Sequence, residues 1–349
     1  MTEKARLGIV LFNLGGPDSP AAIEPFLKDL FSDPAIIRLP NPFRGLLAKL
    51  ISRKRAHQAA EIYARIGGRS PILAETEAQA RALELCLSAR GIDARCVVAM
   101  RYWNPRAEEA AVALKAAEVE RIVLLPLYPQ YSTTTTQSSF DDWDRAAAKI
   151  GLGLPTHRVC CYPTAPLFVK AYARRIRQTL AQAGISDPRE LRFLFSAHGL
   201  PQRIVDQGDP YPLQVAASVA EIVRSLGIAG LDHRITYQSR VGPLKWIGPA
   251  TDDEIRAAGR EGRGVVVVPV SFVSEHSETL VELDIEYAEL AAQSGVPLYL
   301  RVPAVGTENH FIEGLGDAVA AAWERGRGSD WSCPAARRCA GPRAHGTGA

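Results

Sequence analysis

The chain has 349 residues, with 41 Lys plus Arg against 38 Asp plus Glu for a formal charge of +3, and 47% of its residues are apolar. So small a charge, with basic residues dispersed except around 44–55, argues against a nucleic-acid-binding protein. No apolar stretch is long enough to span a bilayer, the start Met-Thr-Glu-Lys-Ala-Arg lacks the apolar region of a signal peptide, and six cysteines in a chain this long do not read as a disulfide framework, so a cytoplasmic protein is expected.

The length exceeds the size at which one core stops growing, which favours two domains of about 150 to 170 residues each. The first apolar, β-rich run is 7–11, and it leads into Asn13-Leu14-Gly15-Gly16-Pro17. The glycine pair invites a nucleotide-loop reading, but neither G-x-G-x-x-G nor a P-loop is present, and Pro17 removes an N–H that an anion-binding loop needs. Residues 41–58 hold the basic cluster, interleaved with Phe43, Leu46, Leu47, Leu50 and Ile51. A helix of that pattern either packs on its own domain or lies in a membrane interface with its cationic heads toward anionic lipid. An amphipathic helix over 75–88 and strands over 94–99 and 121–125 follow. The hydroxyl run Thr133 to Thr136 is a loop or a helix cap, or else a set of donors for a carboxylate or phosphate. Beyond it come a helix over 166–183 and strands over 191–195, 233–237, 264–270 and 298–302.

Strand and helix in alternation predict parallel sheets with right-handed crossovers. The halves also echo each other: LGIVLFNLGG at 7–16 and LRFLFSAHGL at 191–200 are both a strand running into a small-residue loop, and a later proline-rich loop recurs as LPLYP at 125–129 and VPVSF at 268–272. The expected fold is therefore α/β, with duplicated domains meeting near 155–165 around a cleft.

Chemistry concentrates after two strands of the second half. His198 follows the run 191–195, where an α/β protein places a residue in its cleft. After 265–270 come His276, Glu278, Glu282 and Glu286, and the three glutamates recur every fourth residue along one helical stripe. Like charges so stacked repel by a few tenths of a kcal/mol per pair. The stripe is either a solvated face or a carboxylate ladder for a hydrated divalent cation or a departing proton.

Several stretches in this order and spacing resemble the ferrochelatase family over nearly the whole chain. They are Asn-Leu-Gly-Gly-Pro at 13–17, Ile66 to Pro71, Arg101-Tyr102, Tyr-Pro-Gln-Tyr-Ser-Thr-Thr-Thr-Thr at 128–136, Ser-Ala-His-Gly-Leu-Pro at 196–201, Gly208 to Pro212, Gln238 to Pro243 with Trp246, and the ladder 278–287. The resemblance implies two Rossmann-like domains (1–160 and 161–328, with a tail 329–349) of class II chelatase architecture, flanking a porphyrin cleft. It implies insertion of Fe(II) into protoporphyrin IX, the last step of haem synthesis. The alternatives are a chelatase acting on coproporphyrin III or another tetrapyrrole, or a carrier that binds without catalysis.

On this reading His198 accepts a pyrrole proton or ligates iron, Glu278 is its partner across the macrocycle, and Glu282 and Glu286 relay protons or iron, with His276 beside them. Leu14, Tyr63, Trp246 and Phe272 fall where the family packs against the macrocycle. Arg65, Ser70 and Arg101, with Tyr102, fall where it orients propionates. Residues 41–58 resemble the lip of the cleft, which implies peripheral contact with an anionic membrane at the inner face of the cell membrane, by a monomer or homodimer. Some members hold a 2Fe-2S cluster on four thiolates. Here Cys160, Cys161, Cys333 and Cys339 are the candidate ligands, although the tail has two cysteines where the animal pattern has three, and Thr133 stands where that pattern has its internal cysteine.

Overall fold

The computed structural model describes residues 6–37, 39–240 and 244–325. Among the described residues there are eight strands: β1 (Leu7–Asn13), β2 (Ala94–Met100), β3 (Arg121–Pro126), β4 (Thr156–Arg158), β5 (Leu191–His198), β6 (Asp232–Gln238), β7 (Gly264–Pro269) and β8 (Tyr299–Arg301). They form two parallel four-stranded sheets with the orders β2-β1-β3-β4 and β6-β5-β7-β8. The two orders are the same path drawn twice, and the registers agree: Phe12 pairs with Pro126 in the first sheet and Ser196 with Pro269 in the second.

β1 is buried at every position, as are all six residues of β7, GVVVVP. A parallel sheet covered on both faces requires such unbroken apolar runs, so these were the strands most legible in the sequence. β4 was not among the expected strands; it has three residues, THR, none of them buried. An edge strand that short carries no apolar signature.

Eleven α-helices cover the sheets among the described residues: α1 (Ile23–Ser32), α2 (Phe43–Ala64), α3 (Ile72–Ala89), α4 (Ala107–Ala116), α5 (Ser138–Lys149), α6 (Pro166–Gln182), α7 (Gln202–Asp206), α8 (Tyr211–Leu226), α9 (Thr251–Arg260), α10 (Tyr287–Gln293) and α11 (Asn309–Arg325). One apolar core joins the sheets, from Ile9 and Leu11 of β1 through Phe168 and Tyr172 of α6 to Phe193 and Phe195 of β5. The last helix, α11, returns across the molecule to pack on α3 and α6. No described helix is long and apolar enough to cross a membrane.

Each sheet's third strand leads into a π-helix, Thr133–Gln137 after β3 and Glu278–Glu286 after β7. The carboxylate ladder thus rides on the wider i to i+5 turn and not on the α-helix its spacing suggested. A π-helix is rare and seldom longer than one turn, so one of nine residues needs support from outside its own backbone.

Candidate active site

The π-helix Glu278–Glu286 lies at the carboxyl ends of β5 to β8, tied to both edges of the second sheet. At the β6 edge, Gln238 Nε2 donates to the carbonyl of Glu278 and, at 3.2 Å, to Glu282 Oε2. At the β8 edge, the Tyr299 hydroxyl donates to the carbonyl of Leu283 at 2.7 Å, and Arg301 pairs with Asp284. His198 ends the central strand β5.

His198 Nδ1 is 2.7 Å from the carbonyl of Gly199. A carbonyl only accepts, so Nδ1 carries the hydrogen, and in the neutral ring Nε2 is left with its lone pair. Nε2 stands 3.6 Å from Glu278 Oε1, too far for a hydrogen bond and near enough for strong electrostatic coupling. The other oxygen, Glu278 Oε2, is buried and has no hydrogen-bond partner among the described residues. Gly199 makes the turn possible: a Cβ there would stand 3.0 Å from the carbonyl of Gln238 and 3.2 Å from the Trp246 ring.

His276 plays a different part. Its Nδ1 accepts the backbone N–H of Glu278 at 3.1 Å, and its ring packs on Phe272 with centroids 4.7 Å apart. Burial lowers its pKa, with the opposing pull of Glu278 smaller, so it stays neutral and orients the start of the π-helix.

Glu282, expected to relay protons or iron, is fully engaged. Oε1 accepts from the backbone N–H of Ser239 at 2.8 Å and from the Tyr287 hydroxyl at 2.9 Å; Oε2 accepts from the Ser239 hydroxyl at 2.5 Å and from Gln238. Ser239 can present both donors because its φ is +59°, a left-handed conformation uncommon outside glycine. Burial raises the Glu282 pKa, and the charge of Glu278 adds to the rise. Glu286, half-exposed at the outer end, lies 4.0 Å from Arg65 Nη1, whose other nitrogen is 3.5 Å from Glu289. Arg65 therefore bridges from α2 to the outer end of the ladder.

Among the expected wall residues, Tyr63 is buried and its hydroxyl takes a 3.3 Å bond from Ser277; burial pushes its pKa up to about 12. Phe272 is buried against His276, Leu14 is half-buried, and Trp246 Nε1 is buried with no partner among the described residues. Ser70 sits beneath Gly16, where any Cβ would stand 2.6 Å from its hydroxyl, and that hydroxyl accepts the N–H of Ile72.

Arg101 and Tyr102 are placed otherwise than a propionate clamp requires. The Arg101 side chain is 12% exposed; Nη2 meets Asp33 at 2.8 Å and Nε donates to Ser138, while the Tyr102 hydroxyl donates to the same Asp33 oxygen. Asp33, itself 2% exposed, organises this network and was not singled out in the sequence. Asp209 was given no role beyond its place in the stretch Gly208 to Pro212. Its carboxylate accepts from the Ser132 hydroxyl, from the N–H and hydroxyl of Thr133 and from the N–H of Tyr211, so the hydroxyl run is fastened to α8.

No group of three or more His, Cys, Asp or Glu side chains among the described residues is arranged to hold a metal ion. Cys160 is buried, and Cys161 accepts from Gln214 Nε2 at 3.5 Å; Cys333 and Cys339 lie outside the described residues. Two adjacent thiols do not by themselves fit a cluster that takes four thiolates.

The chain matches the family model for ferrochelatase over residues 6–322. It is 57% identical to the ferrochelatase of Phenylobacterium zucineum over 341 residues, covering 96% of this chain and 98% of that one. It is 51% identical to the ferrochelatase of Caulobacter vibrioides over 350 residues, with the same coverage. Of solved structures it is similar to SirB from Bacillus subtilis with Fe3+, with a TM-score of 0.53 at 10% identity, covering 93% of this chain and 97% of that one. It is also similar to the sirohydrochlorin chelatase SirB from Bacillus subtilis subspecies spizizenii in complex with cobalt, with a TM-score of 0.51 at 11% identity, covering 92% and 95%. At those identities the likeness is one of fold.

Proposed function

This chain belongs to the ferrochelatase family, enzymes that insert Fe(II) into protoporphyrin IX to complete haem synthesis, and from that premise we propose that His198 and Glu278 are the pair that does the chemistry. The observation that carries the assignment is an imidazole nitrogen 3.6 Å from a carboxylate whose second oxygen is buried with no partner among the described residues. A buried carboxylate oxygen without a donor is costly to the fold, and such a group is kept where a substrate supplies the missing partner.

Metallation removes two pyrrole protons and strips water from the iron. His198 Nε2 takes one pyrrole proton while Nδ1–H stays on the carbonyl of Gly199, Glu278 stabilises the imidazolium so formed, and the second proton leaves on the water stripped from the iron. Glu278 Oε2 is a hard oxygen donor for ferrous iron, which it binds without trapping. Glu286 lies outermost, where Arg65 moderates its charge, and suits a first contact for the hydrated ion. Glu282, its acceptor sites filled, serves as an anchor. Tyr63, Phe272, Leu14 and Trp246 supply the apolar wall that a macrocycle packs against. Arg65 and Ser70 remain the groups for its propionates; Arg101 and Tyr102 act one step back, through Asp33.

The test is anaerobic insertion of Fe(II) or Zn(II) by the purified protein into protoporphyrin IX and coproporphyrin III side by side. Turnover of protoporphyrin supports the reading. Preference for coproporphyrin moves the protein to the other chelatase class, and binding of both without metallation makes it a carrier.

Two further expectations belong to the same proposal. α2 packs on α1 through one side, with Ala48 and Ser52 buried, while Phe43, Leu46 and Leu50 stand 66%, 61% and 58% exposed on the other, beside Lys49, Arg53 and Lys54. An exposed apolar stripe with cationic neighbours suits the interface of an anionic membrane. The 2Fe-2S cluster on Cys160, Cys161, Cys333 and Cys339 is supported by the sequence pattern alone, and no step above runs through it. Iron and acid-labile sulfide beyond background, with a visible chromophore, would establish it; a colourless iron-free preparation rejects it.

A further inference from the structure

We propose that Arg301, on the edge strand β8, is a positioning residue that aims the π-helix carrying Glu278 at His198. This rests on the reading of the site given above and extends it to a residue that touches no substrate. The Arg301 side chain is 11% exposed and makes ionic bonds to two carboxylates on either side of Glu278. Nη1 lies 2.6 Å from Glu275 Oε1, and Nε and Nη2 lie 2.6 and 2.5 Å from the two oxygens of Asp284. Glu275 immediately precedes His276, and Asp284 sits within the π-helix. Both ends of the segment that presents Glu278 are therefore held by one planar guanidinium.

The geometry needs this residue type. A bidentate fork on Asp284 with a third donor left for Glu275 is within reach of five fixed N–H groups and beyond a lysine ammonium, which offers a point charge. Glu275 Oε1 also accepts the backbone N–H of Ala304 at 2.9 Å, which locks the clamp to the chain just beyond β8. At the other edge of the sheet Glu282 is held by Ser239 and Gln238 of the β6 end, so the π-helix is a strap fixed at both sides with Glu278 between. Nine residues of π-helix have little stability of their own. If the β8 anchor loosens, the distance between Glu278 and His198 is the quantity that changes, while the apolar wall built by Leu14 and Trp246 rests on other elements.

The experiment compares full-length wild type, Arg301→Lys and Asp284→Asn. Porphyrin binding is followed by fluorescence quenching without metal, and steady-state insertion is followed with Zn(II) as the varied metal. The clamp predicts porphyrin Kd and KM within about twofold of wild type, while kcat over the metal KM falls about tenfold to a hundredfold in Arg301→Lys, the range set by loss of charge-assisted bonds. Asp284→Asn, which keeps the Glu275 bond, falls less. Amide hydrogen exchange across 278–286 should accelerate in both variants while β5 stays protected.

Unchanged kinetics with only a lower melting temperature would overturn the proposal, since Arg301 would then merely support the fold. An equal loss of porphyrin binding would overturn it too. Should Arg301→Lys fail to fold, Asp284→Asn carries the comparison. Should the wild type metallate nothing, the functional reading fails by itself, and the exchange data still decide whether Arg301 holds the strap.

Discussion

The two sheets share one strand order and each ends in a π-helix, yet their polar groups are treated in opposite ways. At the end of the first sheet, Arg101, Tyr102 and Ser138 converge on Asp33 and Asp209 holds Ser132 and Thr133, while the hydroxyls of Tyr128, Thr136 and Ser139 are buried with no partner among the described residues. At the end of the second, Glu282 and Asp284 are equally well bonded, but Glu278, at the start of the same π-helix, keeps an oxygen with no partner among the described residues beside the lone pair of His198. The same scaffold therefore serves once with its carboxylates, Asp33 and Asp209, paired at both oxygens and once with a carboxylate left open beside a histidine. Titratable groups are present in both; the proposed chemistry rests on an unsatisfied carboxylate beside a histidine.

The contrast is broken most directly by His198→Ala, which should lower metal insertion by about a hundredfold or more, as loss of a proton acceptor does, with porphyrin binding retained by fluorescence. If insertion persists, the open site is elsewhere.

Next comes stability, where the two sheets should answer in reverse. Asp33→Ala takes the 2.8 Å partner from the largely buried Arg101 and leaves it only Asp142 at 3.8 Å, and should cost up to about 3 to 5 kcal/mol in a denaturant titration. Glu278→Gln should leave stability unchanged or raise it slightly, because the replaced oxygen has no donor among the described residues to lose and the costly buried charge is removed, while abolishing insertion. Equal destabilisation by both would erase the contrast.

A smaller effect concerns pH. Burial and the Glu278 charge raise the Glu282 pKa, so the folded protein holds that proton more tightly than the unfolded chain does. Its stabilising contribution is fully present below the ordinary glutamate value of about 4.3 and is lost as pH rises through the raised folded value. The stability of Glu282→Gln relative to wild type should therefore improve as pH rises through that window, as measured by melting temperature at a series of pH values.

The smallest effect is at the α2 stripe. Leu46→Ser with Leu50→Ser should weaken flotation with anionic liposomes at low salt, and added salt should weaken it in the wild type. If the wild type never floats, the exposed stripe serves some other contact.

The fold was legible because parallel strands buried on both faces must be written as apolar runs, and β1, β5 and β7 are. His198 and the glutamates were legible because they follow such runs directly. The division of labour along the ladder was not. A spacing of four cannot separate an α-helix from a π-helix, and it says nothing of Ser239, whose positive φ gives Glu282 two of its donors. Arg101 and Tyr102 read as ligand contacts because their partner Asp33 lies 68 residues from Arg101 along the chain. Arg301 carried no signal for a similar reason: an arginine at the end of a short edge strand has an ordinary local sequence, and only the fold brings Glu275 and Asp284 to it.

The decisive point is whether the Glu278 oxygen that lacks a partner among the described residues is where metal and base meet. Single-turnover Fe(II) insertion into protoporphyrin already bound to Glu278→Gln addresses this directly. The account predicts that the porphyrin stays bound with its free-base spectrum unchanged while the wild type metallates it. Metallation by the variant within a few-fold of the wild-type rate would contradict it.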